Sequence, residues 1–174
     1  MARSRWIPSG TFAALLALCG RENAEALRLS MDYGLRIGDV LRMPSDVLIS
    51  GVWSFKEEKT GKRRRIRLSE THKMACRAFA GKYFVFEHRL DQHRHRTRQA
   101  VYKDIRRLSR AMGYKDITPH SARKIYAVER LRTSGDIGRV QHLLNHSDPA
   151  VTALYALSDR ISNGERRRSK TPLS

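Results

Sequence analysis

Much that would point elsewhere is scarce or missing in this chain. No apolar run within its 174 residues approaches the ~20 needed to cross a bilayer. The start, Met1 to Trp6, is basic, and an apolar stretch runs from Phe12 to Cys19, but Arg21 and Glu22 stand where a signal peptide places small residues for cleavage. The expectation is the first helix of a cytosolic protein. Two cysteines, Cys19 and Cys76, cannot build a disulfide framework and suit a reducing compartment. There is no internal repeat and no linker rich in proline or glycine, so a single domain is expected over residues 1–160, followed by a polar, basic tail over 161–174. His88, His93 and His95 lie close together, but no second ligand pair at zinc spacing accompanies them and the arginines around them would repel a cation. No metal and no cofactor are expected, and that segment reads as a basic loop.

Acidic residues are also scarce: 17 against 35 lysines and arginines, a net charge of +18. A field of that size favours a polyanionic partner, of which nucleic acid is the usual one. An anionic membrane would need a basic amphipathic helix with its apolar face left unburied, whereas here those faces are required for the core, so no membrane partner is expected. A generic RNA-binding module would carry stacking aromatics that are not evident. Forty per cent of residues are hydrophobic, enough for a real core.

Helical spacing runs from about Thr11 to Tyr33, interrupted near Gly20 and stopped at Gly34, and a short helix is expected from Gly38 to Met43. Asp46 to Leu68 reads as strands around the turn Glu58-Lys59-Thr60-Gly61. Trp53 and Phe55 alternate with Val52, Ser54 and Lys56; Arg64, Ile66 and Leu68 alternate with Arg63, Arg65 and Arg67. A helix is expected over about Ser69 to Ala80 and a short strand over Tyr83 to Phe86. Thr97 to Met112 is amphipathic, with Val101, Ile105, Leu108 and Met112 on one stripe. Thr118 caps the next helix, with Pro119 at its first position, and Gly135 ends it. Two shorter helices follow, at Asp136 to Leu144 and Asp148 to Leu157. The fold class is therefore α+β: mainly helical, with a small antiparallel sheet.

Cutting a DNA phosphodiester without a metal needs a nucleophile, cations on the non-bridging oxygens, an acid for the departing oxygen, and a group to manage the nucleophile's proton. Candidates for each are present. In Thr118-Pro119-His120-Ser121-Ala122-Arg123, His120 and Arg123 are three apart at a helix start, so they share a face where anions bind. Leu143-Leu144-Asn145-His146-Ser147 follows, and then Tyr155. Upstream lies Gly34-Leu35-Arg36-Ile37-Gly38-Asp39, and between them Lys59-Thr60-Gly61-Lys62.

These segments resemble the catalytic domain of the tyrosine recombinases, the phage integrase family. Its Arg box, hairpin Lys, H-x-x-R box, third His box and terminal Tyr occur here in the family's order, over about residues 10 to 158. The resemblance implies the following roles. Tyr155 is the nucleophile that forms a 3′-phosphotyrosine. Arg36 and Arg123 clamp the scissile phosphate, Lys59 is the general acid for the 5′ oxygen, His120 helps shuttle the tyrosine proton, and His146 hydrogen-bonds the phosphate. Asp39 orients its neighbours. Lys62, Arg63, Arg65, Arg94, Arg96 and Arg106 are candidate contacts to double-stranded DNA. Read blandly, Arg36 is a structural arginine paired with Asp39, and Lys59 is one of three turn lysines with Lys56 and Lys62; the Lys-Thr-Gly context favours Lys59. Two departures stand out: Asn145 replaces the usual Gly, and Ser121-Ala122 replaces an acidic-Leu pair.

The implied function is site-specific recombination or integration. The alternatives are a type IB topoisomerase, whose usual set has His at only one of the two positions held by His120 and His146, and a non-catalytic DNA-binding relative acting as a regulator. The family's separate helical DNA-clamping domain is not expected here. The chain is expected to act in the bacterial or phage-infected cytoplasm at the nucleoid. It should be a monomer free in solution, assembling on DNA as a tetramer at most.

Overall fold

A computed structural model describes residues 4–144. Helix α1 (Ser9–Leu18) buries Phe12, Leu15 and Leu16, and the chain turns at Cys19 and Gly20 into α2 (Arg21–Tyr33). The Gly20 amide donates to Asp104 Oδ2 at 3.1 Å, so a side chain from far along the chain satisfies one of the unpaired amides at the start of α2. Gly34 ends α2 in the left-handed conformation, with φ of 63°. Two short helices follow, α3 (Ile37–Leu41) and α4 (Val47–Ser50), and then the hairpin of β1 (Val52–Lys56) with β2 (Arg63–Arg67). Helix α5 (Glu70–Arg77) leads to a second hairpin, β3 (Glu87–His88) with β4 (Asp91–His95). Helices α6 (Arg98–Ala111), α7 (Pro119–Ser134) and α8 (Ile137–Leu143) complete the described chain. None of these helices is long and apolar enough to cross a membrane.

Helix α2 is the axle, packing against α1, α3, α5, α6 and α7. One core of Phe12, Leu16, Leu27, Leu41, Phe86, Ile105 and Ile125, among others, joins the helices. A small satellite of Tyr126, Ala127, Val140 and Leu144 joins α7 to α8. The architecture is the expected mainly helical one, with two small antiparallel hairpins.

The first hairpin pairs Trp53 with Ile66 and Phe55 with Arg64. Trp53 and Phe55 stack at 4.0 Å between ring centroids, while Arg63, Arg65 and Arg67 point to solvent, as the alternation predicts. Three local readings are corrected. Residues 47–50 form a turn of helix rather than strand, because Gly51 (φ 67°) ends a helical turn before β1 begins. Tyr83 to Phe86 contributes only a bridge between Pro44 and Phe84. The histidine segment is not a loop but the β3–β4 hairpin, where the His93 amide donates to Asp91 Oδ1 at the start of β4 at 2.9 Å. The expected helix from Asp148 lies outside the described residues.

Ser121, one of the departures from the family pattern, has a structural use. Thr118 Oγ1 accepts from the His120 amide and Ser121 Oγ accepts from the Thr118 amide, each at 3.2 Å. This reciprocal cap is what holds the first turn of α7.

Between α5 and α2, His72 lies buried with Nδ1 2.5 Å from Glu25 Oε1 and Nε2 3.0 Å from Asp32 Oδ2. Burial alone would lower its pKa, but hydrogen bonds to Asp32 and Glu25 and their charges raise it to about 9. The folded value lies above the unfolded one, so this contribution to stability is complete below about pH 6.5 and is lost as pH rises through about 9. The expected loss is on the order of 3 kcal/mol. Denaturant unfolding between pH 6 and 10 tests it, and a pH slope unchanged in His72→Gln would show that another group is responsible.

Candidate active site

The site is assembled around Gly34. The left-handed turn there brings a tyrosine ring against the backbone: a Cβ on Gly34 would meet the Tyr126 ring at 2.5 Å. Only glycine combines this φ with so close an approach. The Gly34 carbonyl accepts from Arg123 Nη1 at 2.8 Å. Arg123 Nη2 donates to the Leu144 carbonyl, so the buried Arg123 ties the end of α2, the first turns of α7 and the end of α8 to one another.

Arg36 stands two residues beyond Gly34, as the extended N-cap of α3. Its side chain is 15% exposed, and its Nη1 donates to Glu57 Oε2 at 2.6 Å. The expected alternative pairing of Arg36 with Asp39 does not occur. Asp39 points the other way, Oδ1 accepting from Arg42 Nη2 at 2.6 Å and from the Glu58 amide at 3.0 Å. Helix geometry explains this: with Arg36 at the N-cap and Asp39 in the first turn, the acid faces Arg42, three residues on, and the hairpin turn. Asp39 therefore pins the Lys59 turn to α3.

The turn itself is closed by the Gly61 amide on the Glu57 carbonyl at 2.9 Å, with Gly61 at φ 67°. Lys59 is exposed at its tip. His120, on the first turn of α7, reaches solvent but is hemmed in by protein. That burial first, and then the positive charges of Arg123, Lys59, Arg36 and Lys124, hold its pKa below the usual histidine range. Four of the expected catalytic residues, Arg36, Lys59, His120 and Arg123, thus share one electrostatic neighbourhood, with Lys124 as a fourth cation around the imidazole. His146 and Tyr155 lie outside the described residues.

Beside His120 opens a hollow of about 360 Å³ lined by Ile37, Arg98, Gln99, Tyr102, Thr118 and Pro119 as well as His120 itself. Arg98 lies over Gly38, with its Cδ 3.1 Å from where a Cβ would be, and its Nη2 is 3.9 Å from Glu58 Oε1. Of the expected DNA contacts, Lys62, Arg63, Arg65, Arg94 and Arg106 are exposed. Arg106 donates to the Tyr102 hydroxyl at 2.9 Å. Arg96 is drawn inward: its Nε donates to Asn23 Oδ1 and its amide to the Phe86 carbonyl, both at 2.6 Å, so it braces β4 and α6 against α2. Burial, with Glu25 nearby, pushes the Cys76 thiol up to about 12; burial, with Asp104 nearby, pushes Cys19 up to about 11. Among the described residues, no group of three or more His, Cys, Asp or Glu is placed to hold a metal ion.

Glu57, Arg64 and Arg98 were not singled out from the sequence. The available signal for Glu57 was an acid two positions before the candidate lysine, yet Glu58 looks equivalent there and is exposed, whereas Glu57 is buried.

A family model described as the phage integrase family matches residues 9–160. The probable integrase/recombinase YoeC of Bacillus subtilis is 30% identical over 129 residues, covering 72% of this chain and 71% of that protein. The tyrosine recombinase XerD of Rhizobium meliloti is 29% identical over 141 residues, 74% of this chain but 45% of that protein. Among solved structures, that of the XerA recombinase matches with a TM-score of 0.70 at 20% identity, covering 98% of this chain and 67% of that one. A lambda integrase dimer bound to a COC′ core site gives 0.71 at 19% identity, covering 89% of this chain and 48% of that one. At these identities the structures speak for the fold alone.

Proposed function

This chain belongs to the phage integrase family, and from that premise we propose that it cleaves and rejoins double-stranded DNA through a covalent 3′-phosphotyrosine at Tyr155, in site-specific recombination or integration. The observation that carries this reading is that Arg36, Lys59 and Arg123 all bear electrostatically on His120, although the four residues come from three separate parts of the chain: the N-cap of α3, the β1–β2 turn and α7. The Tyr155 hydroxyl attacks the scissile phosphorus and the bond to the 5′ oxygen breaks. Lys59 gives a proton to the departing oxygen. His120, kept neutral by its surroundings, is in the right state at neutral pH to accept the tyrosine proton. Arg36 and Arg123 hold the non-bridging oxygens as charge gathers there, and His146 hydrogen-bonds the same phosphate. The new phosphotyrosine bond replaces the broken phosphodiester one for one, so a 5′ hydroxyl can reverse the step without ATP.

DNA is held by the exposed Lys62, Arg63, Arg65, Arg94 and Arg106, chiefly through phosphates, in the bacterial or phage-infected cytoplasm. Assembly follows DNA binding, from a free monomer to a tetramer at most. The test is incubation with nicked candidate-site DNA and a denaturing gel. A protein–DNA adduct supports the reading; tight binding without an adduct on any nicked site would favour a DNA-binding regulator.

The general acid can be identified separately. A bridging sulfur in place of the 5′ oxygen leaves readily without a proton. Lys59→Ala is expected to slow cleavage of normal DNA strongly and to recover near wild-type rate on the sulfur substrate. Lys56→Ala and Lys62→Ala should change little on either. Rescue of a defective Lys62 variant in single-turnover kinetics would move the role three residues along.

A further inference from the structure

Glu57 directly follows β1 at the foot of the Lys59 turn, and its side chain is 0% exposed. Its Oε2 accepts from Arg36 Nη1 at 2.6 Å and from Thr60 Oγ1 at 2.7 Å. Its Oε1 accepts from Arg64 Nη1 at 3.3 Å. Burial by itself would raise its pKa, but the hydrogen bonds from Thr60, Arg36 and Arg64 and the Arg36 charge keep it below the usual carboxylate range, so it is ionised at neutral pH.

A buried carboxylate between two arginines is a poor device for stability alone, since the cost of desolvating the charges offsets much of their attraction. Its geometry indicates another use. The Arg36 guanidinium makes no other hydrogen bond among the described residues, so Glu57 grips it at Nη1 alone. The edge formed by Nε and Nη2 remains for an anion, which is the fork that binds a phosphate bidentately. Thr60, the other donor to Oε2, is next to Lys59. Arg64 continues the connection: it donates to the Tyr33 and Gly34 carbonyls, and the Gly34 carbonyl also receives Arg123. One carboxylate thus links both expected phosphate clamps and the lysine turn.

We propose that Glu57 is a positioning residue for strand cleavage, holding Arg36 by one edge so that the other faces the scissile phosphate, and setting the Lys59 turn in register with it. The proposal rests on the function given above. The alternative, that Glu57 only stabilises the hairpin, makes a different prediction when Arg36 is absent.

The experiment is a double-variant cycle on the full chain, read by single-turnover cleavage of nicked site DNA, DNA affinity and thermal unfolding. Glu57→Gln keeps the shape and removes the charge. It is expected to slow cleavage about tenfold or more, with DNA affinity within roughly twofold of wild type. In the Arg36→Ala background the same change should slow cleavage much less, because the arginine it positions is gone and only the Lys59 turn is left for it to set. Glu57→Asp, which keeps the charge one methylene short, covers the case in which Glu57→Gln does not fold; it should give an intermediate rate and the same non-additivity. Equal slowing in both backgrounds, or a wild-type cleavage rate in a folded Glu57→Gln protein, overturns the proposal while leaving the function intact. A wild-type chain that forms no adduct on site DNA sinks the functional reading, and this proposal with it.

Discussion

Tyr155→Phe is expected to abolish the covalent adduct while DNA binding stays within roughly twofold of wild type. The substitution removes one hydroxyl and leaves the ring, so only chemistry that depends on that oxygen is lost. The structure also narrows the competitors. Tyr126 follows the H-x-x-R box closely, but it is 7% exposed and its ring is packed on Gly34. Arg130 lies over the Tyr126 ring, 5.3 Å from its centroid. The Tyr33 hydroxyl accepts from the Ser69 amide at 2.9 Å, and that of Tyr102 accepts from Arg106. None of the three is presented as a free nucleophile. Denaturing gels of both proteins on nicked site DNA, with peptide mapping of any adduct, provide the measurement. An adduct that persists in Tyr155→Phe, at Tyr126 or elsewhere, removes Tyr155 from the mechanism.

The two arginines are expected to produce the next largest effects, and to differ in kind. Removing one donor to developing charge costs ~2.7–4 kcal/mol, or about 10²–10³-fold in cleavage rate. Arg36→Ala should show this loss with little change in unfolding, because Glu57 keeps Thr60 and Arg64 as partners. Arg123→Ala should lose rate to a similar extent and also stability, by about 1–3 kcal/mol, because the Gly34 and Leu144 carbonyls lose a buried donor. DNA affinity should fall little in either, since the chain carries a net charge of +18 and many other cations face the polyanion. Parallel measurements of cleavage, binding and melting on the two variants check the contrast. A wild-type cleavage rate in either protein would place that arginine outside the site.

Much of this was legible in the residues themselves. Of the 3.6-residue stripe, Val101, Ile105 and Leu108 became the buried face of α6, while Met112 caps the helix and is exposed. Thr118 and Pro119 opened α7, and Gly34 and Gly135 closed α2 and α7. These signals act within a few residues, through caps, dihedral limits and side-chain period, so they survive without tertiary context. The alternation in the first hairpin likewise predicted which face of β2 carries its arginines to solvent. It was less informative about Arg64, which fell on the inner face, where an arginine is useful only if an acid meets it. Residues 47–50 and the β3–β4 hairpin were misread because short segments carry too little periodicity to outweigh the packing around them.

What the sequence determined by itself is the set of chemical groups and their order: the family boxes with Arg36, Lys59, His120, Arg123, His146 and Tyr155, the helices that carry several of them, and a basic surface suited to DNA. What only the tertiary structure decided is which groups meet. It paired Arg36 with Glu57 across 21 positions rather than with Asp39 across three, and joined Arg123 to Gly34 across 89. It brought the charge of Lys59 to bear on His120 and turned Arg96 inward to Asn23. The reason is physical. Local periodicity reports which face of an element is apolar, whereas contacts between distant elements depend on how those faces pack and at what register, and that is settled by burial over the whole core.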